Sequence, residues 1–239
     1  MKKFYISFIT LLAFVAWTLG VVFIDKAAIG TNGSVVGFAS LNGFFHNITG
    51  VNMPLYVITD WLGLVSVFIG FGFALLGLVQ WIKRRNILKV DFDILMLGIF
   101  YIVVIAAYLL FESFVINYRP TLINGFLETS YPSSTTLLVL TVNVTAILQF
   151  KRRIKNIVIR RSVNITLNCF TLFMVIGRLI SGVHWLSDII GGVLLSAGLI
   201  MLYCAVVSIK RDVGAPSPTG FVVFIGRAWK PAPTAGCFS

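Results

Sequence analysis

Residues 94–111, ILMLGIFYIVVIAAYLLF, run from Asp93 to Glu112 without one charged side chain. Wound as a helix they reach about 27 Å, close to the hydrocarbon thickness of a bilayer. The whole apolar segment, roughly 93–116, is therefore a membrane span. Working outward, five further segments meet the same requirement: roughly 4–24, 58–82, 133–150, 162–181 and 187–209. The composition agrees, since 58% of the 239 residues are apolar and only 11% charged. A water-soluble domain carries about 25% charged residues. The sequence predicts an all-α, polytopic membrane protein, a bundle of six transmembrane helices. The first span follows Lys2 and Lys3 and has no small-x-small cleavage site after it, which reads as an uncleaved signal anchor.

The net charge of +11 could point to nucleic acid, but the basic residues sit between the apolar runs, where they orient helices. With the N-terminus inside, the inner flanks hold Lys2, Lys3, Lys83, Arg84, Arg85, Lys89, Lys151, Arg152, Arg153, Lys155, Arg160, Arg161, Lys210 and Arg211. The outer side holds Lys26, Arg119 and Arg178. Fourteen against three predicts cytoplasmic termini, in the cell (plasma) membrane. The string KRRIKNIVIRR at 151–161 is read as a topological anchor with some anionic-lipid contact. Cys169, Cys204 and Cys237 form no C-x-x-C pair, so neither a disulfide framework nor a zinc site is indicated.

Residues 25–57 form an outer loop with room for a short interfacial helix. The chain divides into a six-span domain, 1–212, and a Pro- and Gly-containing tail, 213–239, read as disordered or loosely surface-associated. The tail's apolar patch FVVFIG is too short to span.

Ionisable groups at membrane depth are expensive and imply function. Once the orienting cations are removed, Asp60, Glu112, Arg119, Glu128, Arg178, His184 and Asp188 remain, with His46 in the first outer loop. Arg119 ends the third span, Arg178 lies near the end of the fifth, and His184 and Asp188 flank the turn into the sixth. All four then lie near the outer face. The string Tyr131-Pro132-Ser133-Ser134-Thr135-Thr136 opens the fourth span as a helix start, with Pro132 in the first turn. Capping alone accounts for it in isolation, but the same geometry aims free N–H groups at a phosphate. Arg119 and Arg178 would add fork donors for phosphoryl oxygens. With His184 in the first turn of the sixth helix, Asp188 falls on the same face and can fix the imidazole tautomer. His184 is then a candidate nucleophile toward phosphorus, through a phosphohistidine. The alternative is a structural His beside Trp185; Arg178 and Asp188 at these spacings favour chemistry.

In this order the three elements resemble the type 2 phosphatidic acid phosphatase superfamily, whose pattern is Lys-x6-Arg-Pro, Pro-Ser-Gly-His and Ser-Arg-x5-His-x3-Asp. Here the motifs read Glu112-x6-Arg119-Pro120, Pro132-Ser133-Ser134-Thr135 and Gly177-Arg178-x5-His184-x3-Asp188. The resemblance implies a six-helix bundle that hydrolyses lipid phosphates or diphosphates without metal or other cofactor, at an outward-facing site. It makes His184 the nucleophile and Asp188 its orienting partner, with Arg119, Arg178, Ser133 and Ser134 binding the phosphoryl group. Its partners are the lipid substrate and the bilayer, not nucleic acid.

Three positions depart from that pattern. Glu112 replaces a Lys; on a continuous helix it would share a face with Arg119, about 10 Å away. There it would pair with an Arg, line the substrate path or repel phosphate. Gly177 replaces a Ser. Thr135 replaces the His that protonates the leaving group, and losing such a group reduces rates by ~10²–10⁴. One reading is an active phosphatase with an easily departing leaving group, for which a polyprenyl diphosphate fits; Glu112 or Glu128 could otherwise supply the proton. The other is an impaired relative that binds, moves or phospho-transfers a phosphorylated lipid. A transporter would need charges at the midplane and broken helices in paired halves, which the sequence lacks. His46 reads as structural, Asp60 as a helix N-terminal anion, and Asn47-Ile48-Thr49 as an acceptor pattern only in a glycosylating system.

Overall fold

The structure, a computed structural model, describes residues 2–214, so the predicted tail lies outside the described residues apart from the two that end the last helix. Seven α-helices follow one another: α1 (Lys2–Phe23), α2 (Ala39–Thr49), α3 (Met53–Arg84), α4 (Phe92–Ser113), α5 (Ser134–Arg153), α6 (Ile157–Ile180) and α7 (Leu186–Gly214). All except α2 are long and apolar enough to cross a membrane, giving the six spans read from the sequence. No strand forms among the described residues, only isolated bridges. The short α2 occupies the predicted outer loop.

Three boundaries move for local reasons. Helix α3 starts at Met53 rather than near 58, because the Asn52 side chain accepts from Leu55 N at 3.0 Å and Pro54 fits the first turn. Helix α6 starts at Ile157 rather than near 162, capped by Asn156, which accepts from Val158 N and Ile159 N. Helix α4 stops at Ser113, short of 116. Val115 and Ile116 are β-branched, and Pro120 disfavours helix at the residue before it. Arg119 is therefore not on a helix, and the shared helical face expected for Glu112 and Arg119 does not exist. The chain from Asn117 to Ser130 instead doubles back as a hairpin-like loop, with Arg119 N donating to Glu128 O and Ser130 N to Asn117 O, both at 3.0 Å.

Helices α5 and α7 form the interior of the bundle. Of their most apolar windows 56% is buried, against about a fifth for the other spans. Helix α5 is also the least apolar span, with a mean hydropathy of 1.2 against 2.8 for α4. Its polar side chains explain both facts. Asn143 donates to Thr171 of α6 at 3.0 Å and accepts from Ser66 of α3 at 3.1 Å. Thr145 meets the Tyr101 hydroxyl of α4 at 3.0 Å, and Gln149 donates to the Tyr203 hydroxyl of α7 at 2.6 Å. Lipid tails are as apolar as leucine, so interhelical hydrogen bonds and close packing, rather than the hydrophobic effect, hold such a bundle together. Three α5 side chains thus fix four neighbours, Asn143 serving both α3 and α6.

Candidate functional site

Most of the polar groups singled out in the sequence gather at one end of the bundle, where α6 turns into α7. Arg178 lies in the last turn of α6 with a side chain only 1% exposed. Ser181 closes the helix by donating to the Arg178 carbonyl at 2.7 Å. Gly182 then turns with φ +66° under the Gly50 carbonyl, so closely that a Cβ would lie 1.7 Å from that oxygen. Only glycine fits there. His184 and Trp185 follow, and α7 begins at Leu186; His184 thus precedes the helix instead of sitting in its first turn.

Asp188, in that first turn, accepts from Trp185 N at 3.0 Å, a carboxylate reaching back to cap its own helix. It also accepts from Asn117 Nδ2 at 3.3 Å and Ser187 Oγ at 3.4 Å. Its Oδ2 stands 3.8 Å from His184 Nδ1, beyond hydrogen-bond distance. The other ring nitrogen, Nε2, meets Arg119 Nη1 at 3.4 Å. An arginine nitrogen can only donate, so Nε2 accepts, and the proton of the neutral ring sits on Nδ1, facing Asp188. Burial, and after it the Arg119 and Arg178 charges, push the His184 pKa well below the ordinary imidazole value, with only a backbone contact at Ser130 opposing. The imidazole is neutral at pH 7, with its lone pair on Nε2.

Both guanidinium groups are held by α3. Tyr56 presents its ring to both, 4.8 Å from Arg178 and 5.8 Å from Arg119. One turn on, Asp60 Oδ1 lies 3.5 Å from Arg178 Nη1. Asp60 is therefore a counter-ion and not simply an anion marking the start of α3. Across the hairpin, Glu128 Oε2 pairs with Arg119 Nε at 3.1 Å.

A polar cavity of about 340 Å³ opens beside this cluster, with Arg119, His184, Ser134, Glu112, Glu128 and Tyr108 on its walls. Ser133 lies behind the wall, fully buried as the N-cap of α5, its Oγ accepting from Thr136 N at 3.5 Å and its own N–H donating to the Asp188 carbonyl at 3.0 Å. Pro132 precedes this cap, so it is not in the first helical turn as the sequence implied. Thr135 does not line the polar cavity. It lies on a neighbouring apolar groove of about 260 Å³ between α4 and α5, with Val104, Ile105 and Leu138. Cavity and groove share Tyr108, Ser134 and Leu137.

His46 lies apart from the cavity. Its ring packs on Trp185 with 5.4 Å between centroids, and burial lowers its pKa, both in keeping with a structural role. Sequence reasoning did not single out Tyr56 and Asn117. A tyrosine and a glutamic or aspartic acid one turn apart at the start of a span, as Tyr56 and Asp60 are, was the available signal; nothing in the sequence marked Asn117.

The signature of the PAP2 superfamily matches residues 96–212, a stretch that takes in Arg119, the Pro132–Thr135 turn, Arg178, His184 and Asp188. That stretch, a little under half of the chain, is PAP2 superfamily sequence. The PAP2 fold extends beyond that stretch: the crystal structure of the first transmembrane PAP2 type phosphatidylglycerolphosphate phosphatase from Bacillus subtilis aligns with a TM-score of 0.55 at 17% identity, over 87% of this chain and 97% of that one. No curated protein matches the sequence. Glu112 and Gly177 are two of the positions where the sequence departs from the resembled pattern. For the second a reason is visible: a Cβ on Gly177 would come within 2.8 Å of Thr59 Cγ2, so α3 packs here at a distance that suits glycine.

Proposed function

We propose that the protein is a membrane lipid phosphatase that transfers the phosphoryl group of a lipid phosphate or diphosphate to His184 and then to water. The observation that carries this reading is the neutral His184, its Nε2 beside Arg119 at the wall of a polar cavity that shares Tyr108, Ser134 and Leu137 with an apolar groove. Such a pair of compartments suits a ligand with a phosphorylated head and a hydrocarbon tail.

In the proposed cycle, Nε2 attacks phosphorus, the N–P bond forms and the bond to the lipid-side oxygen breaks. Asp188 stabilises the charge that arises on the ring as Nδ1 keeps its proton. Arg119, Arg178 and the first-turn amides of α5 neutralise the phosphoryl oxygens. Water then attacks the phosphohistidine, releasing inorganic phosphate and restoring the neutral ring. Thr135 is no acid, and it lies on the groove instead of the cavity, so the leaving group departs without a proton from that position. A diphosphate leaves as a phosphate monoester, far less basic than an alkoxide, and a polyprenyl diphosphate is the favoured substrate. The basic flanks Lys83 to Arg85 and Lys151 to Arg153 end α3 and α5 at the opposite end of the bundle, and by the charge rule this supports a site on the extracytoplasmic side.

The test is phosphate release by purified wild type, His184→Ala and Thr135→His with a polyprenyl diphosphate and with phosphatidic acid. The reading expects faster release from the diphosphate, none with His184→Ala, and phosphatidic acid hydrolysis improved by Thr135→His. Release absent from wild type but present in Thr135→His would instead favour the impaired relative.

A further inference from the structure

The opposite end of the bundle holds a second cavity, of about 420 Å³, whose walls are also cationic. Lys3 of α1 and Lys151 and Arg152 of α5 line it, and Leu148, Tyr203 and Val207 supply an apolar side. Lys3 is held in place by a 2.7 Å bond from Nζ to Ser208 Oγ of α7. Loose topological lysines do not need such an anchor across 205 residues of sequence.

The acids of this end are already engaged. Asp91 pairs with Arg84 at 2.9 Å and Arg153 at 3.5 Å, and Asp93 with Arg153 at 3.0 Å and Arg152 at 3.6 Å. Among the described residues no carboxylate pairs with Lys3 or Lys151. Two ammonium groups and one half-engaged guanidinium therefore face a cavity without an anion of the protein's own. Ammonium groups suit a phosphate as point charges, and the apolar side suits the first carbons of a lipid chain.

We propose that this cavity binds a phosphate-bearing anion, presented by the headgroup of an anionic phospholipid, distinct from the site around His184. The lipid would bridge α1, α5 and α7 where direct acid–base pairs are missing. The inference does not depend on the phosphatase reading, because none of its residues touches the His184 cavity.

The experiment is native mass spectrometry of the detergent-purified full chain with phosphatidylglycerol, phosphatidylcholine or inorganic phosphate. Phosphatidylglycerol should stay bound to wild type and be lost from the Lys3→Gln/Lys151→Gln double variant, roughly fivefold in affinity per cation removed. Lys155→Gln, outside the cavity, should stay within about twofold of wild type, and Lys3→Arg/Lys151→Arg should retain the lipid. If the double variant does not fold, Lys151→Gln alone carries the test with its single fivefold loss. Equal retention by the glutamine variants, or phosphatidylcholine bound as tightly as phosphatidylglycerol, would overturn the proposal. Inorganic phosphate displacing the lipid at equal concentration would overturn its lipid source.

Discussion

The two ends of this bundle are both cationic, yet they use charge in opposite ways. At the basic end the cations are numerous and surface-lying: Arg84 and Arg152 are 41% and 44% exposed, and their partners Asp91 and Asp93 sit in a branched ion-pair network. At the other end, the exposed Lys26 aside, there are two, Arg119 and Arg178, with side chains 10% and 1% exposed, turned toward one tyrosine ring and one imidazole. Like charges that converge out of water repel and lose hydration, and only Glu128 and Asp60 offset this in part. A fold keeps such an arrangement when something anionic completes it. The number of charges at an end therefore bears on topology, and their burial on chemistry.

The sharpest way to break this comparison is His184→Ala. On the proposed function this removes the nucleophile and should lower phosphate release by on the order of 10³-fold or more, while far-UV circular dichroism and detergent stability stay near wild type. A variant that retains a tenth of the activity would remove His184 from the chemistry. Next comes Arg178. On the proposed function, Arg178→Gln removes a donor to the phosphoryl group and should cost about 10²-fold in kcat. Arg178→Lys should recover only part of it, since lysine lacks both the fork and the flat face that stacks on Tyr56. Equal rates for the lysine variant and wild type would show that point charge alone is needed.

Tyr56 tests the same cluster more gently. Tyr56→Phe keeps the ring under both guanidinium groups and should stay within about threefold of wild type, whereas Tyr56→Leu should lose about tenfold in kcat. The readout separating positioning from general damage is the split between kcat and KM together with the recovery by phenylalanine.

A pH profile sharpens the contrast without large losses. Because burial, Arg119 and Arg178 hold His184 neutral, kcat/KM should remain level as pH falls through 6.5, the ordinary imidazole value, and drop only well below it. Arg119→Gln removes the nearest positive charge, so protonation becomes easier and the acid limb should move up in pH, whatever the absolute rate. An acid limb that stays in place would mean that Arg119 does not act on the ring.

Much of the fold was legible because six uncharged runs have few alternatives in a bilayer. The burial of α5 was less so. Its threonines, Asn143 and Gln149 lower its hydropathy, and only the structure reveals that they are the contacts binding four helices. At the site, spacing indicated which residues share an end of the bundle, since Arg178 and His184 flank the α6–α7 turn and Arg119 lies in the connection that follows α4. Spacing did not reveal that α4 stops at Ser113, because one proline and two β-branched residues decide a boundary that hydropathy blurs. It could not indicate that Ser134 reaches both cavity and groove while Thr135, adjacent in sequence, lines the groove but not the cavity. Nor could it find Tyr56, whose role depends on α3 crossing both arginines.

The smallest expected effect returns to the basic end. Asp91 feels burial, which raises its pKa, but hydrogen bonds from Arg84 and Gln80 and the charges of Arg84 and Arg153 outweigh this and hold it below the usual carboxylate value. A carboxylate with a lowered folded-state pKa contributes stability above its unfolded pKa and loses that contribution as pH falls through the folded one. Asp91→Asn should therefore lower thermal stability slightly at pH 7, by no more than about 1 kcal/mol for so exposed a network. The difference from wild type should shrink toward zero as the pH falls below 3.8, where the wild-type group also takes up its proton. Activity should not change. If Asp91→Asn instead reduced turnover as much as Tyr56→Leu, the separation of the two ends into topology and chemistry would fail, since the basic network would then be coupled through the bundle to His184.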